Sequence, residues 1–329
     1  MKKILVLGGT NFIGRVLVET LLQEKEAYTL TLFNRGKTNP DLFPTVRKLQ
    51  GDRRKIADLA CLAQEDWDVV LDISGYYPLP LQALVNCIKD RCKRYVFVST
   101  ASVYDMDKIE GDKAMAEDFP LLSCTTEQMT DTTMATYGER KVACEQVLLT
   151  SLPNVIILRP SVVYGKYDPY DRHYYWLYRL KKSTQVLMPT SVSLLTCTYV
   201  YDLVRALIQS IHIEKHHSIY NVSTDEIYSF GQSLQAMQQG LGSTATLVPV
   251  SEVYLAEQGI REWQDLPLWT NKTLLFLSSN KLMQDYDFSF TPLVAATKAW
   301  ATYYDTIGWS IPKSGISLEK EQFLLQEAL

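Results

Sequence analysis

KILVLGGTNFIGRVLVETLL, Lys3–Leu22, decides how the rest of the chain is read. The apolar run Ile4–Leu7 meets two glycines, Gly8 and Gly9. Phe12, Ile13, Val16, Leu17 and Leu21 then recur at helical spacing. A secretory leader needs roughly 7–15 apolar residues and a small-residue cleavage site, and Ile4–Leu7 falls short. The run is a short buried strand, and the glycines between strand and helix require a reason.

A dinucleotide site supplies one. In GGTNFIG (Gly8–Gly14), Gly8 makes the tight turn, and close backbone approach to a pyrophosphate favours small residues. Gly14 lets the helix pack on the strand, so that its N-terminus faces the phosphates. The expected contacts are Gly8, Gly9, Thr10, Asn11, Phe12, Ile13 and Gly14. Asn11 stands where a glycine is usual; Asn tolerates positive φ, and its amide is in reach of a phosphate. Glycines alone are a weak signal, and a purely structural turn is the other reading. The strand before and the helix after are the context that a nucleotide loop requires.

The alternation continues outward. YTLTLFN (Tyr28–Asn34), VRKLQGD ending at Asp52, WDVVLDIS (Trp67–Ser74), RYVFVST (Arg94–Thr100), NVIILRP (Asn154–Pro160) and HSIYNVS (His217–Ser223) read as further strands. Helices are expected near 79–91 and 136–151, and helical periodicity returns in Leu318–Leu329. This is an α/β chain: a Rossmann-type doubly wound parallel sheet of about seven strands, helices on both faces, with a smaller C-terminal substrate lobe. Residues 1–164 with about 196–224 are assigned to the NAD(P)-binding domain. Residues 165–195, Tyr-rich and read as irregular, join about 225–329 in the substrate-binding lobe.

Composition excludes several alternatives. The 329 residues are 47% hydrophobic with net charge -4, which offers no phosphate-tracking surface, so nucleic acid is not an expected partner. No apolar run approaches the roughly 18 residues of a membrane span. The 6 cysteines form no CxxC pair and read as reduced thiols of a cytoplasmic protein. His212 and His216 lack a third ligand, and no metal is expected.

The end of the second strand chooses the cofactor. A carboxylate there would accept from the adenosine ribose 2′-OH; this chain has Asn34, Arg35 and then Lys37, which suit a 2′-phosphate. NADP is therefore expected, with NAD as the alternative. Asp52 is placed to meet the adenine edge. Arg53 beside it is counted with the cofactor contacts, although Arg53–Lys55 also reads as a solvated helix start.

The helix after the fifth strand opens TYGERKVACEQ, with Tyr137 and Lys141 one turn apart on one face. A lysine cation lowers the phenol pKa and holds the nicotinamide ribose, while the phenol exchanges a proton with a substrate oxygen. With 20 tyrosines, chance pairs occur: Tyr104/Lys108, in a polar loop, and Tyr178/Lys182, past the sixth strand. Only Tyr137 opens the helix behind the fifth strand, whose end carries Ser99-Thr100-Ala101-Ser102 and must border the ligand crevice.

Gly8–Gly14, Asp52, FVSTASVY (Phe97–Tyr104), Tyr137/Lys141 and LRPSVVYG (Leu158–Gly165) together resemble an extended short-chain dehydrogenase/reductase, of the superfamily of NAD-dependent epimerases and dehydratases. The resemblance covers most of the chain. GGTNFIG, FNRG and GDRR are also similar to an atypical branch, the chloroplast stem-loop RNA-binding proteins, some of which lack the active-site tyrosine. The resemblance implies Thr100 as hydrogen-bond donor to the substrate oxygen, Tyr137 as acid/base and Lys141 as its partner. Ser74 and Gly75 would run beside the cofactor riboses, with Ser99 close by, and Pro160, Val162 and Val163 would contact the carboxamide. Family members that act as 4,6-dehydratases follow the active threonine with Asp-Glu; Ala101-Ser102 cannot supply that acid and base. The expected function is NAD(P)-dependent reduction, oxidation or epimerisation of a small polar substrate, a nucleotide sugar being one candidate, in a homodimer. The alternative is a non-catalytic dinucleotide-binding regulator or RNA-binding protein. The segment GKYDPYDRHYYWLYRLKK (Gly165–Lys182) reads equally as a substrate surface or an aromatic lobe interface.

Overall fold

The computed structural model describes residues 1–24, 28–111, 113–273 and 275–328. Its strands are β1 (Lys2–Leu7), β2 (Tyr28–Asn34), β3 (Arg47–Gln50), β4 (Val69–Asp72), β5 (Tyr95–Val98), β6 (Val155–Pro160), β7 (Val162–Tyr164), β8 (Gln185–Pro189), β9 (Cys197–Tyr199), β10 (Ser218–Val222) and β11 (Thr246–Val250). The helices are α1 (Phe12–Leu21), α2 (Ile56–Leu59), α3 (Pro78–Ile88), α4 (Tyr137–Ser151), α5 (Arg172–Lys182), α6 (Val200–Ser210), α7 (Phe230–Leu241), α8 (Glu252–Glu257), α9 (Asn280–Tyr286), α10 (Leu293–Ile307) and α11 (Leu318–Ala328). Leu329, the last residue of the expected terminal helix, lies outside the described residues.

Seven strands form one sheet in the order β10-β6-β5-β4-β1-β2-β3, every neighbouring pair parallel. β1 lies between β2 and β4, with Ile4 opposite Leu30 on one side and Val69 on the other. The strand order reverses there, which opens a crevice at the strands' carboxyl ends. Alternate β1 residues serve opposite faces. Ile4 and Val6 join the cluster containing Val16 and Leu17 of α1 and Leu203 of α6; Leu5 and Leu7 join Leu81 and Leu84 of α3 and Leu148 of α4. Burial on both faces explains why the strands read as continuous apolar runs.

The Tyr-rich segment is helical where an irregular path was expected. α5 buries Tyr174, Tyr175, Trp176 and Tyr178, because α7 and α10 supply aromatic partners that no local pattern reveals. Tyr174 stacks on Tyr304 at 4.1 Å between ring centroids, and Trp176 meets Phe230 edge-on at 5.1 Å. Most of this segment is therefore an internal aromatic interface. Outside the main sheet, β8 pairs with β11 and β7 with β9. Helix α11 buries Leu324 and Leu325 and sets Glu321 against Arg179 at 3.1 Å. Among the described residues no helix is long and apolar enough to cross a membrane.

A buried ion pair ties α4 to β6. Arg159 donates to Glu145 from Nε at 3.0 Å and Nη2 at 2.6 Å, and both residues are almost inaccessible. The Ser99 hydroxyl donates to the same carboxylate, and Arg159 also donates to the Tyr104 phenol oxygen. Removing one partner leaves an uncompensated charge in the interior. Glu145→Gln is expected to lower unfolding stability by about 3–5 kcal/mol, read as the shift in a denaturant-unfolding midpoint.

Candidate active site

The glycine loop is shaped by contact distance. At Gly14 an added Cβ would stand 2.0 Å from the Gly8 carbonyl oxygen, so α1 approaches β1 only without a side chain there. Gly8 has φ of +96°, and a Cβ on it would meet the Ser74 side chain at 2.9 Å. Asn11 differs from expectation. It is extended, with φ of -137°, and the left-handed residue of the loop is Phe12, at φ +35°. Asn11 thus needs no tolerance of positive φ; it caps the helix start with an exposed side chain that makes no capping bond. The loop is held from outside by Asn39, whose Nδ2 donates to the Thr10 carbonyl at 2.9 Å.

The loop opens on a cleft of about 450 Å³. Gly8, Thr10, Asn11, Phe12 and Ile13 form one wall; Asn34, Arg35 and Lys37 close the far end; Asp52, Arg53 and Ser74 lie along the opposite side. Gly9 and Gly14 pack beneath, Gly9 against Leu32 and Val18. Asn34 accepts from the Gly36 N–H through Oδ1 at 2.9 Å, while its buried Nδ2 has no partner. Asp52 is held by Arg54, at 2.6 Å from Nη2, which keeps its carboxyl well below the usual range.

Arg53 is not part of a solvated helix start. Its Nη1 and Nη2 each reach an oxygen of the fully buried Asp72 at 2.8 Å, and Nη1 also donates to Ser74 Oγ at 3.2 Å. Tyr95 donates to the same carboxylate at 2.7 Å and the Ser74 N–H at 2.9 Å. The sequence hid this pairing because it joins the segment after β3 to the end of β4, which β2 and β1 separate in the sheet. Arg53 lines the cleft while its charge is spent on Asp72.

Beside the cleft, past its lining residue Tyr76, lie Thr100, Tyr137 and Lys141. Thr100 lies two residues past β5 and hydrogen-bonds Ser102; burial and then Tyr76 push the Tyr137 phenol pKa up, while the neighbouring Thr100 hydroxyl favours ionisation. Lys141 is buried and donates to the carbonyls of Gly75 at 2.8 Å and Val98 at 2.7 Å, because an ammonium out of water needs acceptors. Burial lowers its pKa to about 8. The expected action of its charge on the phenol is therefore not direct: the ammonium points to the strand ends. Pro160 pairs with Val222 in the sheet, and Val162 and Val163 are buried in β7. The Ser99 hydroxyl is committed to Glu145, so the expected cofactor contact would fall to its backbone. Tyr104, expected in a polar loop, is buried and donates to Asn221 at 2.6 Å.

Tyr76 escaped the reading of the sequence, and Tyr170 was read only as part of the segment Gly165–Lys182. Tyr76 lies 6.3 Å from Tyr137 between ring centroids, and Tyr170 joins it in lining the cleft. Each follows a strand's carboxyl end, the only signal available.

The model of the NAD dependent epimerase/dehydratase family matches residues 4–223. The chain belongs to this family. Solved structures share its fold: UDP-glucuronic acid 4-epimerase from Bacillus cereus in complex with NAD (TM-score 0.68, 19% identity, covering 93% of this chain and 99% of that one), and dTDP-glucose 4,6-dehydratase from Bacillus anthracis in complex with NAD (TM-score 0.69, 17% identity, 93% and 97%). The chain is also 28% identical, over 247 residues, to the chloroplast stem-loop binding protein of 41 kDa b from Arabidopsis thaliana. That match covers 70% of this chain and 60% of the relative's length.

Gly14→Ala is expected to force α1 away from β1. Overpacking of this kind costs about 1–3 kcal/mol, and cofactor affinity should fall with it. Calorimetric titration of the folded variant with NADPH and NADH checks this; wild-type affinity would mean that the close approach does not shape the site.

Proposed function

We propose that the protein is an NAD(P)-dependent oxidoreductase or epimerase acting on a carbonyl or alcohol carbon of a small polar substrate, with nucleotide sugars as the leading class. The observation that carries this is the meeting of Thr100, Tyr137 and Lys141 at the carboxyl end of β5, beside the glycine-lined cleft. The side-chain-free approach at Gly14 and the left-handed Gly8 fit a dinucleotide. The loop Gly8–Gly14 would hold its pyrophosphate, Asp52 and Ser74 its adenosine side, and Gly75, Pro160, Val162 and Val163 its nicotinamide side. The bound nicotinamide supplies hydride acceptance or donation.

The chain's own groups do the rest. Thr100 hydrogen-bonds the substrate oxygen and Tyr137 gives it or takes from it a proton. Lys141 keeps a positive charge near the reacting groups and the ribose. Ala101 and Ser102 follow Thr100 and carry no carboxylate, so water loss of the 4,6-dehydratase type is not assigned to this chain.

Charge at the adenosine end supports NADP over NAD. Arg35 and Lys37 line the cleft, the buried Asn34 amide has an unpaired donor, and the Asp52 carboxylate is neutralised by Arg54. A 2′-phosphate would meet cations and a donor. NADPH is expected to bind more tightly than NADH in calorimetry, and Arg35→Ala to weaken NADPH alone, by about 1–3 kcal/mol. Equal affinities would reject this preference.

Turnover tests the reaction. After a screen of carbonyl compounds and nucleotide sugars identifies a substrate, Tyr137→Phe is expected to lower kcat by about 10²–10⁴-fold with NADPH affinity nearly unchanged, because the phenol acts on substrate. Full activity in that variant would move the site elsewhere. The curated relative favours a second reading, RNA binding without chemistry. Tight RNA binding at physiological salt with no turnover across the screen would establish it, against the net charge of -4.

A further inference from the structure

Tyr76 has no structural task in this fold. Its side chain is 46% exposed and joins none of the apolar clusters. Among the described residues its hydroxyl makes no hydrogen bond. The aromatic neighbours are committed: the Tyr77 ring lies 5.2 Å from the Arg140 guanidinium carbon, and the buried Phe97 ring lies 3.8 Å from the Lys141 ammonium. A half-exposed tyrosine is ordinary by itself, and it is the position of this one that counts.

Tyr76 follows Gly75, whose carbonyl accepts from Lys141, and its ring lines the cleft. The ring centre also lies 6.3 Å from that of Tyr137 and 5.8 Å from the Lys141 ammonium. Thr100, Tyr137 and Lys141 do not line the cleft themselves, whereas Arg35 and Lys37 close its far end. A dinucleotide with its adenosine at Asn34 and Asp52 and its pyrophosphate on Gly8–Gly14 therefore reaches Tyr137 only past the Tyr76 ring.

The charge of the nicotinamide makes that passage chemically selective. The oxidised ring is a planar cation and the reduced ring is neutral. An aromatic face carries a negative quadrupole and attracts a cation within about 6 Å of its centre. The ionised groups at these strand ends do not supply such an attraction. Asp72 is spent on Arg53 and Glu145 on Arg159. Lys141 is itself a cation: burial lowers its pKa to about 8, which leaves it charged at neutral pH. Its charge is held by two carbonyls and the Phe97 face, so it does not need the Tyr76 ring.

We propose that Tyr76 is a cofactor-binding residue whose aromatic face favours the oxidised, cationic nicotinamide over the reduced one. This rests on the reading of the cleft as a nicotinamide dinucleotide site. By linkage, a cofactor held more tightly when oxidised is a stronger hydride donor when reduced, so the ring biases the direction in which hydride moves.

The test is binding and needs no substrate. The protein is titrated calorimetrically with NADP+ and NADPH, with NAD+ and NADH, and with ADP-ribose and 2′,5′-ADP, which lack the nicotinamide. Tyr76→Leu keeps apolar bulk and removes the aromatic face. In whichever pair binds, it is expected to weaken the oxidised member about 3–10-fold relative to the reduced one. The affinity of the nicotinamide-free probe should stay within about twofold. Tyr76→Phe should match the wild type, since the ring acts and the hydroxyl does not. The proposal is overturned if Tyr76→Leu weakens both members equally or neither, if the nicotinamide-free probe weakens with them, or if Tyr76→Phe reproduces the loss. If the wild type binds neither pair, the cofactor reading falls and the proposal with it. If a pair binds and its ratio ignores Tyr76→Leu, the cofactor reading stands and the proposal alone fails.

Discussion

Helix α1 lies against strand β1 at backbone contact distance, and much of the site depends on that approach. A Cβ at Gly14 would sit 2.0 Å from the Gly8 carbonyl oxygen. Only glycine allows the helix to start this close to the strand, and only a helix starting there points its first N–H groups into the crevice where the sheet order reverses between β2 and β4. Thr10 to Ile13 form a cleft wall because of that contact. The extended Asn11 and the left-handed Phe12 are the two conformations that turn the chain into the helix within so short a span.

Buried charge supports the opposite rim. Asp72, at the end of β4, has no exposure, and Arg53, Tyr95 and the Ser74 N–H satisfy it. That set of bonds holds Ser74 and the residue after it at the strand end. The Gly75 carbonyl can then take the Lys141 ammonium, together with Val98 of β5. A second set, Ser99, Glu145, Arg159, Tyr104 and Asn221, ties α4 to β6 and β10 one layer deeper. Tyr137 heads α4, so the orientation of that helix governs where the phenol lies. The candidate site is thus mounted on two buried polar networks, in which removal of any one charge strands another.

Helix α5 is committed to packing, through Tyr174 on Tyr304 and Trp176 on Phe230. One helix thereby holds the C-terminal elements together through an apolar interface.

Local pattern determined a great deal by itself. The apolar runs, their alternation with helical periodicity and the glycines after the first strand specified a parallel, doubly wound sheet, because strands buried on both faces must be apolar throughout and glycine alone permits the tight turn. The positions of Thr100, Tyr137 and Lys141 followed from the same alternation, since strand ends on one edge must meet. What the sequence could not show was where side chains point once those ends are assembled. Arg53 read as a cofactor contact or a solvated helix start and is paired with the buried Asp72; Ser99 read as a cofactor contact and its hydroxyl bonds Glu145; Lys141 read as a partner of the phenol and bonds two carbonyls. Tyr76 carried no pattern at all, and Tyr170 only that of the Tyr-rich segment around it. Periodicity encodes which face of an element is apolar, whereas the pairing of charges and the approach of rings join residues far apart in the chain, and only tertiary structure decides those.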